Sequence, residues 1–311
     1  MTPLSVTPLM DHIGKNLIAD NIMEAMRAAG YRITENDPFE EKAAIIFSER
    51  EHSPHVNRIR MNWAEMRDVV LENFPQVLLP RQDTEAYLKQ VDDIFVTDAY
   101  HSLSIEGYRV SEELIERVRS GNWDPETNRK DKEYANVLAA RGYWQAFQAM
   151  KKSLTKVLNK NAAGIVAKQD HAIWYTELFA PSVSAGIITA SDLAGYRNQP
   201  VYIQKSMHVP PRHEAVRDLM PAFFTLLEDE KEPAARAVLG HFFFVYIHPY
   251  IDGNGRMGRF LMNVMLADGG YPWTVIPLET RNDYMATLEE AGVRRNIEPF
   301  SRFLAELVQK S

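Results

Sequence analysis

The chain has 311 residues, 45% of them hydrophobic and 25% charged, with a formal net charge of −7, a make-up typical of a soluble protein with room for one large or two modest domains. That negative balance argues against broad nucleic-acid binding, and the absence of cysteine excludes a disulfide framework, thiol chemistry and sulfur-ligated metals. No run approaches the roughly 18 apolar residues of a membrane span, and no basic segment followed by an apolar stretch opens the chain, so a cytoplasmic protein is expected.

Before Pro80 the texture is broken by Gly30, Pro38, His52-Ser53-Pro54-His55 and Pro75, which suggests a small, mainly helical lobe over residues 1–80; Ser48-Glu49-Arg50-Glu51 reads as a solvated helix face. Tyr87, Leu88, Val91, Ile94 and Phe95 then recur at helical spacing, predicting a helix over about 84–107 with Gly107 as its C-cap. Ser111 caps the next helix, with Glu112 and Glu113 in its first turn and Gly121 after its end. Helical patterns follow over 136–151 and 164–179, with loops marked by Pro181, Gly186 and Gly195. Residues 200–204 and 207–209 are the strand candidates, joined by Lys205-Ser206 and stopped by Pro210-Pro211, so a short hairpin at a sheet edge is expected. Further helices are predicted over 214–228, 233–247, from Asn254 or Gly255 to Asp268, from Tyr284, and over 299–309. No internal repeat or low-complexity tract interrupts them.

The densest chemistry lies in His248-Pro249-Tyr250-Ile251-Asp252-Gly253-Asn254-Gly255-Arg256-Met257-Gly258-Arg259. Gly253 and Gly255 at a helix start allow a sharp turn that presents backbone N–H groups to an anion, which the helix dipole also favours. Arg256 and Arg259, three apart, can both reach phosphate oxygens with forked donors. A lone carboxylate, Asp252, suffices for Mg²⁺ when phosphates supply the other ligands, and His248 is placed to take a proton from an attacking hydroxyl. A turn alone would need neither the histidine nor both arginines, so the implied chemistry is group transfer from a nucleotide.

This stretch resembles the signature of the Fic family, departing from it only at Tyr250, where a phenylalanine is usual. The resemblance extends to Leu193-Ala194-Gly195-Tyr196-Arg197, Val201-Tyr202-Ile203, His208-Val209-Pro210-Pro211, Gly270-Tyr271-Pro272 and Ile297-Glu298-Pro299-Phe300, over roughly the last two thirds of the chain. It implies an all-α fold, a helical bundle with one short β-hairpin flap, and a catalytic domain over 81–311 with its core motif at 248–259. It implies Mg²⁺-ATP-dependent transfer of AMP to a serine, threonine or tyrosine hydroxyl of a target protein, leaving self-modification and a homodimer open. His248 becomes the base and Asp252 the Mg²⁺ ligand. Gly253, Asn254 and Gly255 form the anion hole, and Arg256 and Arg259 hold the outer phosphates. Lys205, Ser206, Met207 and His208 belong to the flap, and Tyr284 or Met285 meets the adenine.

Upstream, Ser102-Leu103-Ser104-Ile105-Glu106-Gly107 puts Ser102 and Glu106 on one helix face. The pattern is similar to the inhibitory helix of Fic proteins of the subclass that carries it before the catalytic core. By that resemblance Glu106 pairs with Arg259, and an arginine so engaged cannot also clamp the γ-phosphate, leaving the α-phosphate misplaced for attack. Two other functions compete: hydrolytic removal of AMP from a modified protein, with Glu106 activating water, and a nucleotide-sensing regulatory protein. Phosphate, uridylyl or phosphocholine transfer also occurs on this fold; members that phosphorylate carry a lysine where Gly255 stands.

Overall fold

A computed structural model describes residues 16–29, 53–75, 83–121 and 134–311; the Ser48–Glu51 reading and the breaks at Gly30 and Pro38 lie outside them. Eleven α-helices occur among the described residues: α1 (Asn16–Ala28), α2 (Pro54–Asn73), α3 (Thr84–Ile105), α4 (Glu112–Arg119), α5 (Tyr134–Leu158), α6 (Ala163–Ser184), α7 (His213–Asp229), α8 (Pro233–Ile247), α9 (Asn254–Asp268), α10 (Arg281–Arg294) and α11 (Glu298–Lys310). The chain divides into two units between Glu51 and His52. Within the first, α1 is a 13-residue helix with Arg27 in its last turn.

Helix α2, which lies in the stretch expected as a lobe over residues 1–80, packs in the larger unit. Its Trp63 ring stacks on Phe243 of α8 at 5.5 Å, and Arg67 grips Glu230 with Nε at 2.9 Å and Nη2 at 3.2 Å. Pro54 stands in the first turn of α2, where its missing N–H costs nothing.

At the centre of that unit lie α8 and α9. Ala235, Val238, Leu239, Phe243 and Phe244 of α8 are buried, and so are Met257, Phe260, Leu261, Val264 and Met265 of α9, a core face of the kind that drives helix association. Around them pack α2, α3, α5, α6, α7, α10 and α11. On α3 the stripe Tyr87, Val91, Phe95, Ala99 and Leu103 is buried at a spacing of four, which carries Asp98 and Ser102 inward beside it. The helix begins at Asp83, whose carboxylate accepts from Glu85 N and Ala86 N, the expected N-cap arrangement. The α4 cap is Ser111, accepting from Leu114 N at 3.3 Å.

Helices α5 and α6 run longer than 136–151 and 164–179. The polar cluster that suggests an end to α5 is satisfied internally: Lys151 reaches Asp92 at 2.6 Å, and Ser153 donates to Asp170 at 2.6 Å, so Leu154 and Val157 continue the buried face. Pro181 lies inside α6 rather than in a loop. The two helices touch backbone to backbone at Gly142, where a Cβ would stand 2.0 Å from Leu178 O.

The expected β-hairpin is absent: no strand occurs among the described residues, and 201–209 is an irregular segment with a turn at Lys205, φ 60°. Its polar groups bond to helices instead of to a ladder. Met207 N donates to Glu289 Oε1 of α10 at 2.6 Å, Ser206 donates to the other oxygen of Glu289, and the His208 ring bonds Tyr246 O at 2.9 Å.

Candidate functional site

Helix α8 stops where Pro249 disfavours helical geometry in the residue before it, and His248 takes the left-handed conformation, φ 53° and ψ 60°. The loop then turns back at Gly253, φ 80°, into α9. A Cβ at Gly253 would come within 3.0 Å of Phe179, so both conformation and space require glycine there. Asn254 is buried and staples the turn, its amide accepting from Tyr250 N at 2.9 Å and donating to Tyr250 O at 2.8 Å. Its side chain shapes the loop, leaving its N–H and that of Gly255 to the first turn of α9, where N–H groups lack intrahelical partners.

Nδ1 of His248 lies 3.3 Å from Val245 O. A carbonyl only accepts, so Nδ1 carries the proton and Nε2 keeps its lone pair. Burial pushes the imidazole pKa below its usual value, opposed by that carbonyl contact and reinforced by the Arg197 charge, so the ring is neutral at pH 7.

The two arginines diverge. Arg259 is 4% exposed; its Nε donates to Ser102 Oγ at 2.8 Å and its Nη2 to Ser102 O at 3.0 Å and Glu106 Oε1 at 2.7 Å. Nη1 is buried without a hydrogen-bond partner among the described residues and sits 3.3 Å from where a Gly255 Cβ would stand, while Glu106 Oε1 is only 2.2 Å from that point. Burial alone would raise the Glu106 carboxyl, but the Arg259 and Arg256 charges outweigh it and its pKa is lowered. Arg256 lies with its guanidinium over the Tyr108 ring at 5.1 Å and the Phe179 ring at 5.2 Å, and its Nη2 reaches Asp252 at 3.2 Å. The Asp252 side chain is 60% exposed, and its other oxygen accepts from Gly253 N at 2.6 Å. Tyr250, at the one position that departs from the family pattern, is buried and stacked on Tyr175 at 3.6 Å.

Beside Glu106 opens a cavity of about 460 Å³ lined by Lys205, Ser206, His208, Met285 and Glu289 among others. Met285 thus faces the cavity. Tyr284 does not: it is buried, its hydroxyl 2.8 Å from His241 Nε2. The structure therefore brings Ser102 and Glu106 to Arg259, Asp252 to Arg256, and the 205–208 turn to the Met285 side of the cavity. Tyr108, Phe179 and Arg197 also shape the site; only Arg197 carried a sequence signal, as part of Leu193–Arg197, since aromatic partners of a guanidinium leave no fixed spacing.

Residues 169–266 match the model of the Fic/DOC family. Over 120 residues, 37% of this chain, the protein is 40% identical to two curated proteins named Protein adenylyltransferase Fic, from Drosophila yakuba and Nematostella vectensis. The match spans 24% and 27% of those proteins, about a quarter of their length. Among solved structures, Fic-1 from C. elegans superposes with a TM-score of 0.58 at 23% identity over 83% of this chain and 72% of that one. A Fic-domain signaling protein from Bacteroides thetaiotaomicron gives 0.54 at 17% identity, over 82% of this chain and 92% of the other. Sequence and helical architecture agree on the segment that holds His248 and the glycine turn: the chain contains a Fic domain over residues 169–266.

Proposed function

We propose that the protein transfers AMP from ATP to a hydroxyl of a target protein and that Glu106 restrains the reaction. The observation that carries this is a neutral His248, its Nε2 lone pair free of Val245, set one turn of chain from the N–H groups of α9. The activity printed in the names of the curated relatives supports the same reading. In it His248 Nε2 takes the hydroxyl proton as the oxygen bonds to the α-phosphorus, and the bond from that phosphorus to the β-phosphate bridge breaks, releasing pyrophosphate. The first turn of α9, Arg256 and Arg259 hold the phosphate charge. The buried, unpartnered Arg259 Nη1 and the space over Gly255 fit phosphate oxygens once Glu106 withdraws.

Asp252, an exposed carboxylate beside that turn, fits a single-carboxylate Mg²⁺ site completed by phosphates. Bound there, Mg²⁺ would offset the negative charge of the phosphates. The target segment lies along Tyr202, Met207 and Val209, which are 78%, 81% and 64% exposed, and Met285 contacts the base in the cavity.

The reverse reaction, with Glu106 as base for water, is disfavoured by the lowered pKa of that carboxyl, since a more acidic group is a weaker base. A purely nucleotide-sensing role would not need a neutral His248. The test is ATP labelled at the α-phosphate, with intact-mass analysis of the protein and of candidate targets. Label transfer by the Glu106→Gly protein that disappears on adding His248→Ala, with ATP affinity kept, is expected; label transfer that survives His248→Ala refutes the assignment.

A further inference from the structure

Arg197 does not line the cavity, yet it is 4% exposed and its donors reach the end of α8. Its Nε donates to His248 O at 2.7 Å, its Nη2 to Ile247 O at 3.4 Å and to Pro211 O, and its Nη1 to Gln199 O at 3.1 Å. Its own main-chain N–H donates to Pro249 O at 2.9 Å. One residue thus bonds three consecutive carbonyls, those of 247, 248 and 249, across the point where the helix ends.

The chemistry of that point explains why a guanidinium is used. The last carbonyls of a helix have no intrahelical partner and gather negative potential, which a buried cation answers. They point in different directions because His248 is left-handed, a conformation that a side-chain-bearing residue rarely holds unless its surroundings impose it. A planar fork with five N–H donors can bond several of them at once; an ammonium is a point charge on a flexible stem and cannot. Fixing the peptide planes on both sides of His248 fixes the direction of its Cα–Cβ bond, and so the position of Nε2.

We propose that Arg197 is a positioning residue for the transfer reaction, acting through His248: by bonding Ile247, His248 and Pro249 carbonyls it holds the left-handed backbone that aims the imidazole at the α9 turn. This rests on the reading of His248 as the base. It also gives the Leu193–Arg197 segment a task in the site, with Tyr196 anchoring it through a 3.1 Å bond to His171 Nε2.

The experiment compares Arg197→Lys and Arg197→Gln in the Glu106→Gly protein by three readouts: steady-state transfer with ATP labelled at the α-phosphate, ATP affinity by calorimetry, and the side-chain resonances of ¹⁵N-histidine. A displacement of a reacting group by about 1 Å costs on the order of 100-fold in rate, so kcat should fall by about that factor in Arg197→Lys while KM for ATP stays within about twofold. The His248 ring resonances should move and those of His101 should not. The lysine retains the charge and stem, so a fold lost in Arg197→Gln leaves it as the deciding variant. An unchanged kcat, a loss confined to KM, or unmoved His248 resonances in folded Arg197→Lys overturns the proposal. If the Glu106→Gly parent transfers no label, the transfer reading fails, while the histidine resonances still decide whether Arg197 holds His248.

Discussion

Arg259 and Glu106, 153 residues apart in sequence, meet with Nη2 2.7 Å from Oε1, and Ser102 takes the Nε of the same guanidinium at 2.8 Å. Burial works against the charge of Arg259, but Glu106 outweighs it and its pKa is raised. A charge pair removed from water and closed by hydrogen bonds is costly to break on one side only. A ligand that takes Nη2 of Arg259 therefore competes with Glu106 for it.

Replacing Glu106 by glycine removes that competition. Transfer in Glu106→Gly should exceed the native rate by at least tenfold, about one decade for every 1.4 kcal/mol of lost pairing. Adding Arg259→Ala should abolish the gain, because the phosphate clamp goes with it. Label counts on native, single and double variants decide it: a gain that persists without Arg259 would show inhibition by another route.

Gly255→Ala should act twice. A Cβ there would meet Glu106 Oε1 at 2.2 Å, so the alanine must push the carboxylate off Arg259, and it also fills the space offered to phosphate. In the native background the two effects oppose each other. In the Glu106→Gly background only the second remains, and activity should fall. A double-mutant cycle of rates should give a coupling of at least about 0.5 kcal/mol; additive effects would mean that the close approach has no energetic content.

The pH profile follows from His248. Its pKa is lowered by burial first of all, so the neutral form persists below the usual imidazole value of about 6.5. Transfer by Glu106→Gly should be flat near neutrality and fall only as pH drops through that lowered value. The Glu106 pKa is also lowered, so the pair with Arg259 is complete above the ordinary carboxylate range and is lost only as pH falls beneath it. The ratio of Glu106→Gly to native activity should thus stay constant from about pH 5 to 8. Activation of the native protein by mild acid would contradict this.

Asp98 makes a stability prediction. It is buried, and burial raises its pKa from 3.8 to about 6, against the bonds from Tyr143 at 2.6 Å and Trp273 at 3.3 Å and the charge of Arg259. With the folded value above the unfolded one, its favourable contribution is present below the unfolded pKa and disappears as pH rises through the folded value. Native stability relative to Asp98→Asn should therefore drop between about pH 4 and pH 7, by up to roughly 3 kcal/mol at 1.36 kcal/mol per pKa unit. Urea unfolding of both proteins at the two pH values measures it, and a difference that does not change with pH would rule it out.

The helices around the site were readable because their apolar spacing and breakers agree, as at α8, where the aromatic run stops before Pro249, and at α9, where Gly253 precedes the start. The 201–209 segment was not, because alternating Val201, Ile203 and the Pro210-Pro211 stop look like a strand whether or not a ladder partner exists. Here Glu289, more than 80 residues away, takes the N–H of Met207. The pairing of Glu106 with Arg259 was legible only through a family pattern, since spacing along one helix says nothing about which distant residue it faces, and the bonds from Arg259 to Ser102 had no sequence signal. Of the two residues that the resemblance offers for the adenine, Tyr284 is buried against His241 and Met285 lines the cavity, a difference that helical spacing does not reveal.

Residues Glu106 and Tyr108 sit on either side of Gly107, φ 92°, and they engage different arginines: Glu106 bonds Arg259, and the Tyr108 ring covers Arg256. The end of α3 therefore sets the conformational freedom of both cationic arms together. A substitution at Glu106 removes one contact of Arg259 and leaves Ser102 on that arm and Tyr108 on the other, whereas a displacement of the whole helix end would take all three contacts away in a single movement.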